Sequence, residues 1–266
     1  MSSAEKYLAV NVEGLVKKFP RSGENSPLTV FNSIDLSVPR GEFVCIVGPS
    51  GCGKSTLLNI INGIEPPTEA EKLLVLGEDV KNNPVIARKK MSFVFQKPQL
   101  LEWRTLRENI LFALKGLNIQ PPEKWESLTE KYLREVGLED YMDYYPNQTS
   151  GGMQQRASIA RAWANEPDVF LMDEPFSHLD EITARNMRKS LIDLWTKEKE
   201  RKTIIFVTHD MNEAVRLADR VLMMSPTPSE IIDEKEVNID RPRKPEEEDV
   251  YKITRELTSL FYKQAI

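Results

Sequence analysis

Apolar and polar residues alternate along positions 7–19 and 29–38, the period of two that half-buried strands show. Pro39-Arg40-Gly41 is a turn, and residues 42–47 follow as a short apolar strand. A glycine-rich loop then opens the helical run 54–62, and residues 73–76 and 92–96 read as further strands. From Pro98 to Pro167 the apolar spacing becomes helical, in 106–117, 124–136 and 151–165. Strand patterns return at 168–173, 203–208 and 220–224, separated by the helical stretches 181–198 and 211–218. Strands alternating with helices predict an α/β fold whose mostly parallel sheet is covered on both faces. The tail from Ser225 carries an acidic run, Glu246-Glu247-Glu248-Asp249, and a last predicted helix at 251–265; it is too short for a further regulatory domain. There is no internal repeat and no low-complexity segment.

Composition narrows the function classes. A chain of 266 residues buries roughly three quarters of its unfolded surface, enough for a large core. Hydrophobic residues at 40% and charged residues at 29% are those of a globular protein. The net charge of -5 argues against a nucleic-acid partner, which calls for a basic face. No apolar run approaches bilayer-spanning length, and the N-terminal residues have no long apolar stretch of the secretory kind. Cys45 and Cys52, seven apart, make neither a disulfide framework nor a metal spacing; Cys45 reads as core and Cys52 as a loop residue.

Gly48-Pro49-Ser50-Gly51-Cys52-Gly53-Lys54-Ser55-Thr56 matches the phosphate-loop pattern G-x-x-x-x-G-K-[ST], placed after a buried strand and before a helix. Gly51 and Gly53 let consecutive backbone N–H groups face one anion, and the helix start adds partial positive charge. Lys54 is expected on the β- and γ-phosphates and Ser55 on Mg2+. Kinases, GTPases, helicases and transporters all share this loop, so it establishes nucleotide binding and no more.

Residues 168–175 are an apolar strand ending in Asp173-Glu174-Pro175. Asp173 is placed to orient Mg2+ through water, and Glu174 to act as general base on the attacking water. Taken alone, the pair equally fits a strand that stops at a solvated acidic turn. Likewise His209-Asp210, after the strand 203–208, could simply cap the next helix.

Joined with Ser150-Gly151-Gly152-Met153-Gln154-Gln155-Arg156, these segments resemble the ABC (ATP-binding cassette) ATPase family. The resemblance runs from Tyr7 to about Met224, with the motifs in the family's order: an aromatic at Phe19, Walker A at 48–56, the Q-loop glutamine Gln96, the signature at 150–154, Walker B at 169–174, the D-loop at 177–180 and the switch histidine His209. It implies a P-loop NTPase (RecA-like) parallel-sheet core with an antiparallel β subdomain and an inserted α-helical subdomain at about 97–167. The cassette then spans 1–225, with 226–266 a short C-terminal extension. It further implies that Phe19, otherwise a core strand phenylalanine, stacks on adenine; that Gln96 senses Mg2+ and the attacking water; that Ser150, Gly151, Gly152 and Gln154 contact the nucleotide of a second copy in a head-to-tail dimer; that Asp180 signals across that dimer; and that His209 touches the γ-phosphate. Thr149, His178 and Ala70 depart from the usual pattern, where leucine, a small residue and glycine are common.

After Gln96 the run Leu100-Leu101-Glu102-Trp103-Arg104-Thr105, with Glu108-Asn109, is similar to the ATPases of nitrate, sulfonate and taurine importers. That resemblance implies permease subunits contacting about 97–109, a periplasmic or lipid-anchored substrate-binding protein acting indirectly, and a peripheral position on the cytoplasmic face of the membrane. Trp103 could instead be a packing residue of the helical subdomain. Alternatives are the ATPase of an export or lipid-transport system, and a soluble ABC ATPase, which would normally carry two cassettes or a coiled-coil insertion. The 150–156 run speaks against a small-molecule kinase.

Overall fold

The structure, a computed structural model, describes residues 7–21, 23, 26–177, 179–197 and 201–264. In chain order its elements are β1 (Leu8–Phe19), β2 (Leu28–Pro39), β3 (Phe43–Val47), α1 (Lys54–Ile61), β4 (Lys72–Val75), β5 (Glu78–Asp79), α2 (Pro84–Lys89), β6 (Met91–Val94), α3 (Leu106–Leu117), α4 (Trp125–Glu135), α5 (Gly151–Ala164), β7 (Val169–Asp173), α6 (Glu181–Lys197), β8 (Thr203–Thr208), α7 (Met211–Leu217), β9 (Arg220–Met224), β10 (Ile231–Glu236) and α8 (Glu248–Gln264). They form two compact units, one made of the chain up to Arg88 with the part from Thr203, the other of Lys89–Lys202.

In the first unit, β3 lies between β8 and β9, parallel to both. Every residue of β3 and β8 is buried, which is why both read as unbroken apolar runs rather than as alternations. β10 adds antiparallel to β9. A separate antiparallel sheet, ordered β2-β1-β4-β5, buries Ile34, Leu36 and Val38 of β2 on alternate positions, and Phe31 besides. The tail is tied to α7 by two arginines. Arg241 donates to the Leu217 carbonyl at 2.6 Å and to Asp219. Arg243, only 5% exposed, donates to the carbonyls of Val215, Ala218, Val237 and Ile239. Guanidinium groups thus satisfy carbonyls that the end of α7 would leave unpaired. Burial, with the neighbouring Arg241 charge, lowers the Arg243 pKa.

In the second unit, β6 and β7 pair in parallel, and α3, α4 and α5 pack on one another. Trp163 of α5 stacks on Phe170 of β7 with ring centroids 4.0 Å apart. A capping box between Thr105 and Glu108 starts α3.

Three elements were not predicted. β5 has two residues, α2 has six with Ala87 its only buried one, and β10 is a polar strand, IIDEKE; none carries enough hydrophobic period to register. The predicted strand 92–96 ends at Val94, and the predicted strand 73–76 ends at Val75, because Leu76 (φ 50) and Gly77 (φ 84) form a left-handed turn. Glu198 and Ala265, the ends of two predicted helices, lie outside the described residues.

Candidate functional site

Parallel pairing fixes where the reactive residues emerge. In the first unit Val47 of β3 pairs with Thr208 of β8, so the glycine-rich loop and His209 leave neighbouring strands at the same end. This is where parallel sheets carry their chemistry. In the second unit Val94 of β6 pairs with Met172 of β7, which puts Phe95-Gln96 beside Asp173-Glu174.

The loop wraps a cation. Lys54 is buried, and its ammonium donates to the carbonyls of Gly48 (2.8 Å) and Pro49 (3.0 Å). Gly51 and Gly53 sit at φ 81 and 99, conformations that residues with a Cβ resist. A Cβ on Gly53 would come 2.6 Å from Val30 and 2.7 Å from Phe31, and one on Gly48 2.8 Å from the Cys52 sulfur. Gly53 is the N-cap of α1 and makes no side-chain cap hydrogen bond, so a glycine opens this helix at the end where backbone amides favour an anion. Cys52 is buried rather than a loose loop residue, with its sulfur 3.9 Å from the Lys54 ammonium; burial pushes its thiol pKa up. Ser50 and Ser55 are exposed, and Pro49 and Thr56 half-buried. Phe19, half-buried at the end of β1, has the Lys17 ammonium 4.5 Å from its ring centroid. His209 is exposed, and Asp210 caps α7 through the N–H groups of Asn212 and Glu213.

In the second unit the Gln96 amide donates to Glu174 Oε2 at 3.5 Å and to Ser177 Oγ at 3.4 Å, while Ser177 Oγ donates to the Glu174 carbonyl at 3.0 Å. Glu174 is held at φ 42, a left-handed conformation that costs a residue with a Cβ roughly 1–2 kcal/mol. Such strain persists where surrounding contacts impose it, often at functional positions. Ser150 caps α5, accepting from the Met153 N–H at 3.3 Å. Ser150 and Gly151 are exposed, whereas Gly152 faces Thr183 and Leu179. The Gln154 amide turns back to the carbonyls of Pro146 and Thr149, and the Thr149 hydroxyl donates to Pro146. Asp180 accepts from the Thr183 N–H at 3.0 Å, and hydrogen bonds from the Thr183 side chain and backbone lower its pKa. His178 lies outside the described residues.

Two residues of α5 hold the Gln96 segment, and sequence reading passed over both. Gln155 donates to the Phe95 carbonyl at 3.2 Å, and Arg161 donates to Pro98 and Gln99 at 2.9 and 2.7 Å. Burial lowers the Arg161 pKa. Their one sequence signal is polar residues on the inward side of an otherwise apolar helix. Trp103 is 73% exposed, so it is no packing residue of the helical segment.

Within the first unit the close packing around Gly48 and Gly53, the buried Lys54 ammonium and the Ser55 hydroxyl suit a phosphate group and a hard cation; within the second, Gln96 and Asp173 carry the oxygen donors that a hard cation such as Mg2+ prefers. Loop, helix and parallel strands define a P-loop nucleotide-binding protein. The family model described as ABC transporter matches residues 31–177. An uncharacterized ABC transporter ATP-binding protein of Methanocaldococcus jannaschii is 43% identical over 234 residues, 88% of this chain and 84% of that protein. The bicarbonate transport ATP-binding protein CmpD of Synechocystis is 39% identical over 88% of this chain and 80% of its own length. The aliphatic sulfonates import ATP-binding protein SsuB of Bacillus cereus is 36% identical over 96% of both. Among solved structures, a dimeric post-hydrolysis ATP-binding cassette bound to ADP and Pi superposes with a TM-score of 0.76 at 31% identity, covering 87% of this chain and all of that one. The chain belongs to the ABC transporter ATPases, and it is an ATP-binding, ATP-hydrolysing cassette.

Proposed function

We propose that this ATPase works as a head-to-tail pair of copies and drives solute uptake through separate permease subunits, in a system of the nitrate, sulfonate and taurine type. The observation that carries the chemistry is the strained, tethered Glu174 with Gln96 at its carboxylate. In this reading the amides of 48–56 and the Lys54 ammonium bind the β- and γ-phosphates, and Phe19 stacks on the adenine. Glu174 takes the proton of the attacking water, Gln96 orients that water, and His209 contacts the γ-phosphate. Ser55, Gln96 and Asp173 would hold Mg2+, which would supply charge neutralisation at the phosphate oxygens. Ser150, Gly151, Gly152 and Gln154 approach the nucleotide of the partner copy, and Asp180 lies along the same contact. The exposed Ser150 and Gly151 support that docking, as does the dimeric state of the cassette bound to ADP and Pi.

Import is supported by the relatives named for bicarbonate transport and sulfonate import. The exposed Trp103 and Phe112 support a permease contact around 97–109. A peripheral position on the cytoplasmic face of the membrane fits the lack, among the described residues, of any helix long and apolar enough to cross it. The cassette is assigned to residues 1–225, with the helical subdomain at about 97–167 and 226–266 as its extension.

Glu174→Gln tests the chemistry. ATP binding should persist while phosphate release falls about 100-fold or more, as loss of a general base requires, and ATP should drive the variant into dimers. Undiminished phosphate release would remove Glu174 as the base. A protein that stayed monomeric with ATP, even beside its membrane subunits, would remove the paired site.

A further inference from the structure

Residues 225–230, between β9 and β10, lie against the phosphate loop. The segment closes on itself, with the Ser225 N–H donating to the Glu230 carbonyl and the Glu230 N–H to the Ser225 hydroxyl, both at 3.0 Å. Ser229 is fully buried. Its N–H donates to the Val30 carbonyl at 2.8 Å, and its hydroxyl donates to the Cys52 carbonyl. Thr227, exposed, donates its hydroxyl to the Gly51 carbonyl at 3.0 Å. The Val30 and Phe31 side chains that crowd Gly53 come from the same stretch of β2 that anchors Ser229.

Neither hydroxyl needs to touch a phosphate to matter. In a trans peptide the carbonyl of one residue and the N–H of the next point in opposite directions. A donor on the Cys52 carbonyl therefore sets the direction of the Gly53 N–H, while one on the Gly51 carbonyl braces the Gly51–Cys52 peptide, whose N–H donates to the Pro49 carbonyl at 3.3 Å within the loop. Glycines at 51 and 53 leave these peptide planes the least intrinsic restraint of any residue type, so hydrogen bonds from outside the loop add to the single one, from the Cys52 N–H to the Pro49 carbonyl, that holds them from within. We propose that Thr227 and Ser229 are positioning residues of the nucleotide site, holding the loop's backbone, and with it the Gly53 N–H, in its anion-binding geometry before ligand arrives. The proposal rests on the reading of 48–56 as the phosphate site. Preorganisation of this kind appears as affinity, because the ordering is done before binding.

Titration calorimetry of the full chain with Mg·ADP tests it. Ser229→Ala and Thr227→Val should each raise Kd roughly 2- to 10-fold, the range of one net hydrogen bond, with the number of sites per chain unchanged. Thr227→Ser, which keeps the hydroxyl, should restore the wild-type Kd. A purely structural role predicts the reverse, fewer competent sites of unchanged Kd, and that result overturns the proposal. So does wild-type affinity in both variants. Should Ser229→Ala show no cooperative melting, the exposed Thr227 pair decides alone. Lys54→Ala separates the two readings: if it binds Mg·ADP as tightly as wild type, the phosphate site itself is wrong and the proposal falls with it; if it loses binding while Ser229→Ala and Thr227→Val do not, only the positioning role fails.

Discussion

The chain opens two helices with glycine-bearing turns, and it builds them in opposite ways. Ahead of α1, Gly53 caps the helix in a left-handed conformation with no side-chain acceptor, and Lys54 turns inward onto two loop carbonyls. Ahead of α5, Ser150 is extended and accepts the Met153 N–H itself, while Gly151 stands in open space. The first turn is packed closely at Gly48 and Gly53 and has no side-chain cap. The second satisfies one of its own amides and presents a small surface outward. On the proposed reading, the turn that grips phosphate is the enclosed one, and the turn that meets a ligand held by another copy is the accessible one.

Substitutions at the two turns should therefore differ in size and in kind. The largest effect belongs to Gly53→Ala, which meets both a φ of 99 and a 2.6 Å approach to Val30. Left-handed strain and overpacking together should cost about 3 kcal/mol, read from urea unfolding; a loss under about 1 kcal/mol would mean the loop is not locked. Ser150→Ala should cost about 1 kcal/mol through the lost cap, measured the same way, and no loss would show that the Met153 N–H finds another acceptor. Gly151→Ala meets nothing within 4 Å and should leave stability within about 0.5 kcal/mol. It should nonetheless weaken ATP-driven pairing of two copies in sedimentation; unaltered pairing together with unaltered stability would take this turn out of the interface.

Much of this arrangement was legible in the residues. The buried strands β3, β7 and β8 announced themselves as apolar runs, and the reactive positions follow each of them directly. Strand order was not legible, because it depends on which apolar run pairs with which, and that is decided by tertiary packing. The contact between Gln96 and Glu174 comes from the register of β6 on β7, which no local pattern encodes. Gln155, Arg161, Thr227 and Ser229 were passed over for the same reason: each acts on a backbone carbonyl, and a carbonyl has no sequence. Cys52 was misjudged because a glycine-rich loop looks solvent-exposed on paper, whereas this one folds its thiol under the Lys54 ammonium.

The grip of Arg241 and Arg243 on the end of α7 bears on how such genes can recombine. A crossover placed just after Met224 would pair one parent's helix with another parent's arginines. The hybrid stays sound only if the incoming segment brings side chains able to reach the carbonyls of Val215, Leu217 and Ala218. Residues up to Arg243 are thus coupled to α7 rather than a freely exchangeable appendage.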